Sequence, residues 1–293
     1  MYKAFLEIAF EAELNTKEDP ELLEAAEKIC SEYQDTRATA ITQLRKMIFE
    51  REECCPRRMD DEFLLRFLRA KHFIVPKAHK LLVRYCNFRE EHSHLYDGVD
   101  LWGLTKARAA YECTMTDHPD TGRLIFIRFG SFDPNEVSME TILSASYAMV
   151  EIGMRNPKIQ ILGSTAIIDL EGIATKHVTA MTPTIAYQIV NLLGLGMPNR
   201  VKSYHVVNYS WVLTSFFFIF KRFIPQYAWD AIHFHGNDLK SLQQHFSLEH
   251  LPPRYGGTCR SHFSYEEWLS KIRKYRDENF DQEMKTLGFV VKE

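Results

Sequence analysis

The first 115 residues repeat apolar positions at intervals of three and four, which is the spacing of one buried face of an α-helix. Two prolines, Pro20 and Pro76, stand where helices are expected to begin, because proline is tolerated in the first helical turn. Between them, the stretch DDEFLLRFLRAKHF combines an aspartate cap with an apolar stripe. This pattern predicts an all-helical region over 1–115.

From about residue 117 the pattern changes to short runs of β-branched and aromatic residues. The turn sequence DHPDTGR leads into the first run, LIFIRFG, and the later runs are STAIIDLEG, SYHVVN and AIHFHG. Helical stretches over 139–154 and 183–193 separate these runs. Strands that alternate with helices predict right-handed crossovers and a mainly parallel sheet. The expected fold class is therefore α/β, preceded by the helical region.

Three regions are expected along the chain. They are a helical domain over 1–115, an α/β domain over 116–258 and a polar helical tail over 259–293. The tail offers Trp268 and Ile272 as its apolar docking points.

The segment WVLTSFFFIFKRFI, residues 211–224, concentrates phenylalanine immediately before a charged pair. As a helix, 211–220 would rise only ~15 Å, whereas about 20 apolar residues are needed to cross roughly 30 Å of hydrocarbon. Two interpretations remain open: a buried core helix, or a movable lid that covers an apolar cavity and enters a membrane surface when it opens. Lys221 and Arg222 would then lie at the headgroup level. The candidate gate residues are Trp211, Val212, Phe216, Phe217, Phe218 and Phe220.

The composition is that of an ordinary globular protein, with 45% hydrophobic and 26% charged residues. A formal charge of −3 gives no basic field that would attract nucleic acid. Glu7, Glu11 and Glu13 interrupt the apolar N-terminus, which argues against a signal peptide. Six cysteines without CxxC spacing are interpreted as free thiols of a reducing compartment. We therefore expect a cytoplasmic protein. The lid interpretation adds transient association with membranes, and a monomer is expected.

Twelve histidines raise the question of a metal site. The nearest candidates are the pairs His92-x-His94 and His233-x-His235, whose members would share one face of a strand. Two ligands do not complete a site that needs three or four. Solvated or hydrogen-bonded histidines are the favoured interpretation, and neither a metal nor a cofactor is predicted.

Loops typical of α/β enzymes are missing, since the sequence contains neither GxxxxGK[ST] nor GxSxG. Gly194 and Gly196 follow a predicted helix rather than a strand, so they cannot direct a helix N-terminus at a pyrophosphate. Asp169 and Glu171 end a predicted strand. They either form an acid and base pair, or cap the next helix or pair with a basic neighbour. No catalytic activity is predicted.

Five blocks, FLLRFLRAKHF, DTGRLIFIRFGSFDP, AIIDLEG, IHFHGND and LPPRYGG, stand in an order and spacing that resemble the CRAL-TRIO (Sec14-like) lipid-binding family. The resemblance covers about 36–258 and is closest to the branch of the α-tocopherol transfer protein and the cellular retinaldehyde-binding protein. It implies a helical domain followed by an α/β domain that encloses one lipophilic ligand beneath a hinged helix. It also implies that the Phe-rich segment is this gate and that the protein is not an enzyme.

Some members of this branch hold a phosphoinositide headgroup with basic residues beside the gate. The positions that match here are Lys71, Arg200 and Lys202. Tyr227 and Ala231 stand where the tocopherol carrier has further basic residues, so the resemblance implies that part of the site is lost. Lys221 and Arg222 substitute only if the helix presents them to the same spot. The alternative is that Lys71, Arg200 and Lys202 are plain surface charges.

The expected apolar lining comes from the second predicted strand, the following helix and the segment beyond it. These residues are Ile168, Ile185, Ile189, Leu193, Met197 and Val201. Ser144 and Tyr147 share one face of the helix over 139–154, where related carriers bond a ligand's single hydroxyl. Each of these side chains is otherwise an ordinary core residue.

The preferred hypothesis is a carrier that binds a tocopherol-, retinoid- or related isoprenoid-like molecule and exchanges it with membranes through the gate, assisted by phosphoinositides. One alternative is a phosphoinositide-binding adaptor in vesicle traffic, and a less favoured one is a lipid-acting α/β enzyme. The expected partners are a hydrophobic small molecule and a membrane surface with phosphoinositides, and not nucleic acid.

Overall fold

The computed structural model describes residues 2–17, 19–209 and 218–293. Its first part is helical, as the spacing of apolar residues predicts. Asp60 caps the fourth helix by accepting a hydrogen bond from Phe63 N at 3.0 Å, in agreement with the predicted aspartate cap. The helices of this part are α1 Tyr2–Glu13, α2 Leu22–Cys30, α3 Gln34–Arg51, α4 Asp61–Ala70 and α5 Val75–Glu91.

Six strands of the described chain form one sheet in the order β5-β4-β3-β2-β1-β6. They are β1 Tyr111–His118, β2 Gly122–Arg128, β3 Ser164–Asp169, β4 Val201–Val207, β5 Ile232–Gly236 and β6 His262–Ser264. Strands β2 to β5 pair in parallel, whereas β1 runs antiparallel to β2 and β6. The α/β fold with a mainly parallel sheet is confirmed.

Helices cover the sheet between and after its strands. They are α6 Met139–Gly153, α7 Pro157–Leu162, α8 Thr175–Ala180, α9 Pro183–Val190, α10 Leu239–Gln243, α11 Tyr265–Tyr275 and α12 Glu278–Thr286. Ser138 caps α6 by accepting a hydrogen bond from Thr141 N at 3.2 Å. Thr182 caps α9 in the same way, accepting from Ile185 N at 3.2 Å. Both predicted helices therefore begin at hydroxyl caps.

Strand β1 begins at Tyr111, within the region predicted to be helical up to residue 115. Apolar and polar residues alternate along YECTMTDH, which is the period of a strand. The residues of DHPDTGR form the hairpin turn to β2, in which His118 pairs with Gly122. Gly122 has a φ of 65°, a conformation that glycine adopts without strain. The sheet thus starts before the predicted domain boundary.

The predicted tail, 259–293, is integrated into both domains. Its strand β6 pairs with β1 at the edge of the sheet. Trp268 and Ile272 are buried, in agreement with their predicted docking role. The tail also places Glu283 beside arginines of the helical part of the chain. It therefore joins the helical part to the sheet.

Candidate functional site

A cavity of about 460 Å³ lies on one face of the sheet. Its floor is formed by side chains of β3, β4 and β5, and one side is formed by α9 and the turn that follows it. Side chains alternate between the two faces of a strand, so Tyr204 and Val206 of β4 face the cavity while His205 faces away. Ile232 and Phe234 of β5 continue this apolar floor.

The wall beside α9 depends on a break in the helix. After Val190 the chain continues as a π-type turn over Asn191–Leu195, in which Gly194 has a φ of 123°. Tyr204 donates a hydrogen bond from its hydroxyl to Leu193 O, so the turn is attached to β4. Gly194 thus ends a helix rather than starting one, which agrees with the exclusion of a dinucleotide loop.

Four of the residues predicted to line a pocket lie along this cavity. They are Ile168, Ile189, Leu193 and Val201. Ile185 and Met197 are buried but lie outside the described lining.

Ser144 and Tyr147, predicted to offer hydroxyls to a ligand, also lie outside the described lining and are buried. Tyr147 lies outside the lining because α9 separates α6 from the cavity. The Tyr147 hydroxyl donates a hydrogen bond to Gln188 O of α9 at 2.7 Å. Ser146 borders a separate void of only about 20 Å³ and donates to Ile142 O at 2.7 Å. The predicted polar selection by Ser144 and Tyr147 therefore has no geometric support in this structure.

The three matching basic residues, Lys71, Arg200 and Lys202, lie together in the lining of the same cavity. Lys71 follows α4, and the other two stand at the start of β4. Arg200 Nη1 donates to Ile161 O at 2.7 Å, and Lys202 Nζ donates to Asp120 O at 3.1 Å. Both cations are thus held by backbone carbonyls.

Like charges and burial act against the charged forms of these lysines. Burial lowers the pKa of Lys71, and the nearby Arg84 and Lys77 lower it further. Burial and then Arg200 lower the pKa of Lys202. Within the described part of the chain, no carboxylate forms an ion pair with Lys71, Arg200 or Lys202. A bound anion would stabilise all three positive charges.

The candidate gate is described only in part. Trp211, Val212, Phe216 and Phe217 lie outside the described residues. Phe220 lines the cavity, and Phe218 has 73% of its surface exposed.

The charged pair behind the candidate gate lies on the surface. Lys221 and Arg222 are exposed, and neither lines the cavity. The Arg222 guanidinium packs 4.7 Å from the centre of the Phe223 ring. Substitution of the lost basic residues by Lys221 and Arg222 therefore finds no support from the described geometry.

The segment after the gate contributes a part of the wall that the sequence did not predict. Its side chains in the lining are Ile224, Pro225, Tyr227, Ala228, Trp229 and Ala231. Tyr227 is 74% exposed and Phe234 is 43% exposed, so both border the open side of the cavity. The signal that could have identified this segment is its apolar content on both sides of Asp230.

Asp169 and Glu171, the candidate acid and base pair, have structural partners. Asp169 is buried. It accepts hydrogen bonds from Tyr255 Oη and Asn208 Nδ2, both at 2.9 Å, and from the backbone N of Glu171 at 3.0 Å. Glu171 pairs with Arg254 at the surface, at 3.3 Å. The Arg254 contact of Glu171 corresponds to the predicted pairing with a basic neighbour, whereas Asp169 holds the turn after β3 and does not cap α8.

Helices of the described chain are too short or too polar to cross a bilayer.

Comparison with known proteins agrees with the architecture. The family model "CRAL/TRIO domain" matches residues 114–257, and "CRAL/TRIO, N-terminal domain" matches residues 10–84. Clavesin-1 of Pongo abelii is 30% identical over 266 residues, which cover 89% of this chain and 75% of that protein. Clavesin-2 of Homo sapiens is 28% identical over 242 residues, covering 81% of this chain and 74% of that protein.

Among solved structures, the crystal structure of Sfh5 is similar with a TM-score of 0.46 and 14% identity, covering 84% of this chain and 100% of that chain. The branch of the tocopherol and retinaldehyde carriers is not singled out by these relatives. The helical part followed by a sheet with an apolar cavity, together with both family matches, identifies this chain as a member of the CRAL/TRIO family of lipid-binding proteins.

Proposed function

We propose that this protein binds one lipophilic molecule in the 460 Å³ cavity and transfers it to or from membranes. The observation that carries the proposal is that one cavity combines an apolar floor with three cations, Lys71, Arg200 and Lys202. Its volume lies within the range of roughly 300–1,000 Å³ that is usual for small-molecule pockets. An isoprenoid-like ligand of the tocopherol or retinoid kind fits the apolar part, and a phosphoinositide headgroup fits the cations.

The apolar surface provides the driving force for retention in water. A ligand that hides ~500 Å² of apolar surface gains about 12 kcal/mol at ~25 cal/mol per Å². This gain exceeds an ordering cost of ~4 kcal/mol or more. At a membrane the ligand's surface is no longer exposed to water, so the driving force for retention disappears. Release is therefore expected to be coupled to membrane contact.

The candidate gate provides that coupling in this proposal. Phe220 reaches the cavity while Phe218 is exposed two residues earlier, so this short stretch lies between ligand and solvent. Tyr227 and Phe234 extend the exposed apolar rim beside it. Aromatic side chains of this kind favour the membrane interface. Opening of 218–220 at the membrane would free the bound molecule.

The cations inside the cavity also favour a second candidate function. If the lipid headgroup enters as cargo rather than as an assistant, the protein is a phosphoinositide-binding adaptor in vesicle traffic. Native mass spectrometry of the purified protein, followed by organic extraction, distinguishes the two. A neutral isoprenoid at one per chain supports the carrier, and an inositol lipid at one per chain supports the adaptor. Absence of any stoichiometric lipid after incubation with both would contradict both candidates.

Phe218→Asp is expected to slow transfer of a fluorescent lipophile between vesicles at least about fivefold, because a carboxylate in the membrane interface costs roughly 1 kcal/mol or more. The free energy of unfolding should change little, since the side chain is 73% exposed. Phe49→Asp is the matched control, because Phe49 is 67% exposed on α3 and does not line the cavity. Equal transfer rates for the two variants would exclude Phe218 from the gate.

A further inference from the structure

Four histidines gather on the face of the sheet opposite the cavity. His205 is on β4, and His233 and His235 are on β5. In the parallel pairing of these strands His205 lies directly opposite His233. His245 follows α10, which packs on this face. Because Ile232 and Phe234 face the cavity, the histidines that alternate with them lie behind its floor.

Three of these rings bring ring nitrogens close together. His205 Nδ1 and His235 Nε2 are 2.9 Å apart. One nitrogen from each of His205, His235 and His245 lies within 4.8 Å of the other two. Within the part of the chain that the structure describes, this is the sole group of three or more histidine, cysteine or carboxylate side chains arranged in this way.

The outer nitrogens of the two buried rings are held by hydroxyl groups. His205 Nε2 is 3.0 Å from Ser203 Oγ, and His235 Nδ1 is 2.8 Å from Ser241 Oγ. Hydrogen bonds to the nitrogen that does not bind metal are the usual means of orienting a metal-binding imidazole. They direct His205 Nδ1 and His235 Nε2 at each other. A serine hydroxyl can accept or donate, so it suits either tautomer of the ring beside it.

Two imidazole nitrogens that face each other at this distance repel unless a proton or a metal ion lies between their lone pairs. In the metal-free protein this is a proton, which one ring donates to the other. When both outer nitrogens carry the proton instead, two lone pairs face each other and a metal ion can occupy the gap.

We propose that His205, His235 and His245 form a binding site for a transition-metal ion of the zinc type. Three imidazole ligands with an open fourth position are an established donor set for zinc, and imidazole also suits copper and nickel. His205 and His235 are buried, whereas His245 is exposed and gives the ion a path from solvent. Water would take the fourth position, with His233 beside it.

Binding requires a small rearrangement of the rings. Zinc–nitrogen distances of about 2.0–2.1 Å in a tetrahedral site place ligand nitrogens roughly 3.4 Å apart. The two buried nitrogens, now 2.9 Å apart, must separate slightly, and the exposed His245 must approach. The ion would then fasten the edge strand β5 to β4 and to the end of α10. It would stiffen the cavity floor from behind.

This site depends on residues that are distant in the sequence. The pair His233-x-His235 supplies only one of the three ligands, and the other two come from His205 and His245 on neighbouring elements. From the sequence, one strand offered only two histidine ligands, so no metal site was predicted. The fold brings two further ligands to His235 from neighbouring elements.

Titration of the full-length, chelator-treated protein with zinc chloride against a chromogenic zinc indicator tests the proposal. The parent should bind one zinc ion per chain at this site, and His245→Ala should weaken binding at least tenfold. His94→Ala is the matched control, because His94 is also exposed and lies outside the cluster. It should bind zinc as the parent does. Absence of saturable binding, or equal affinity in His245→Ala and the parent, would overturn the proposal.

Cobalt(II) provides an independent readout of the ligand set. The parent and His94→Ala should show the intense visible absorption of tetrahedral cobalt, and His245→Ala should not. Ser241→Ala is a second variant, which removes the hydroxyl that holds His235 Nδ1 and should weaken cobalt binding severalfold. Circular dichroism of the metal-free variants verifies the fold. Unchanged cobalt spectra and affinities in both cluster variants would contradict the site even if the parent binds metal elsewhere.

Discussion

The double variant Arg200→Glu with Lys202→Glu is expected to bind vesicles that contain inositol bisphosphate lipids at least about 100-fold more weakly than the parent. Each charge-assisted contact to phosphate contributes ~1.5 to 3 kcal/mol. Loss of two contacts therefore corresponds to about 3 kcal/mol or more, which is roughly 100-fold in affinity. Vesicle flotation at low salt measures the change.

The matched control is Lys240→Glu with Arg260→Glu. Both of these residues are exposed and outside the cavity lining, and the change in net charge is the same. The Arg200 and Lys202 variant should still bind a neutral lipophile, and a thermal melt verifies that loss of its contacts to Ile161 O and Asp120 O leaves the fold intact. Equal vesicle binding by the two double variants would remove the headgroup site from the account.

Glu283→Gln is expected to lower the free energy of unfolding by about 3–5 kcal/mol, the usual cost of breaking a buried ion pair. Glu283 accepts hydrogen bonds from Arg155 at 3.1 and 3.2 Å and pairs with Arg58 at 2.5 Å. Arg66 lies 3.7 Å away, and the side chains of Arg66 and Arg155 are each only 2% exposed. The amide would leave Arg155 without its counter-charge, and Arg66 would keep Glu151, at 3.6 Å. Denaturant unfolding at neutral pH measures the loss.

The ion pairs of Glu283 with these arginines also predict how the free energy of unfolding depends on pH. Burial alone would raise the pKa of Glu283, but hydrogen bonds and charge from Arg155, Arg58 and Arg66 hold it below the ordinary value of 4.5. A folded-state pKa below the unfolded one means that the stabilisation is complete above pH 4.5 and is lost as the pH falls through the folded value. The difference between parent and Glu283→Gln should therefore shrink in acid.

Glu278→Gln is the control on the same helix, since Glu278 is exposed. It should change the free energy of unfolding by no more than about 0.5 kcal/mol. If Glu283→Gln also changes the free energy of unfolding by no more than this, the ion pairs of Glu283 do not hold the tail on the helical part.

The fold could be predicted wherever the apolar period was strong. The caps at Asp60, Ser138 and Thr182 and the runs that became β2 to β5 all carried local signals. Strand β1 could not be recognised, because YECTMTDH follows directly on helical spacing and its partner strand lies beyond the turn. Its strand character depends on a pairing that local pattern does not display.

The apolar lining of the cavity could be predicted for residues on strands, on the inner face of α9 and at Leu193 in the turn that follows it. Ile168 and Ile189 follow from periodicity, since alternate positions of one element face the same side. The position of Tyr147 does not follow from periodicity. Helical spacing shows which residues share one face of α6, but not which element that face packs against. The meeting of Lys71 with Arg200, and of His205 with His245, joins elements that are distant in sequence. Such contacts depend on the packing of elements, which a single sequence does not specify.

The central claim is that one lipophilic molecule occupies the cavity. Native mass spectrometry of the parent and of a variant with a filled cavity tests this claim most directly. The proteins are incubated with vesicles containing phosphatidylcholine, inositol bisphosphate lipid, α-tocopherol and retinol, and are then re-isolated. Ile168→Trp adds a bicyclic ring to the cavity floor, whereas Ile168→Val leaves the space open. Because the ring enters open space rather than packed core, the free energy of unfolding should fall by less than the ~1–3 kcal/mol typical of overpacking.

The account predicts one bound lipid per chain in the parent and in Ile168→Val, and at least tenfold less in folded Ile168→Trp. One bound lipid per chain in Ile168→Trp, or no stoichiometric lipid in the parent, would contradict it.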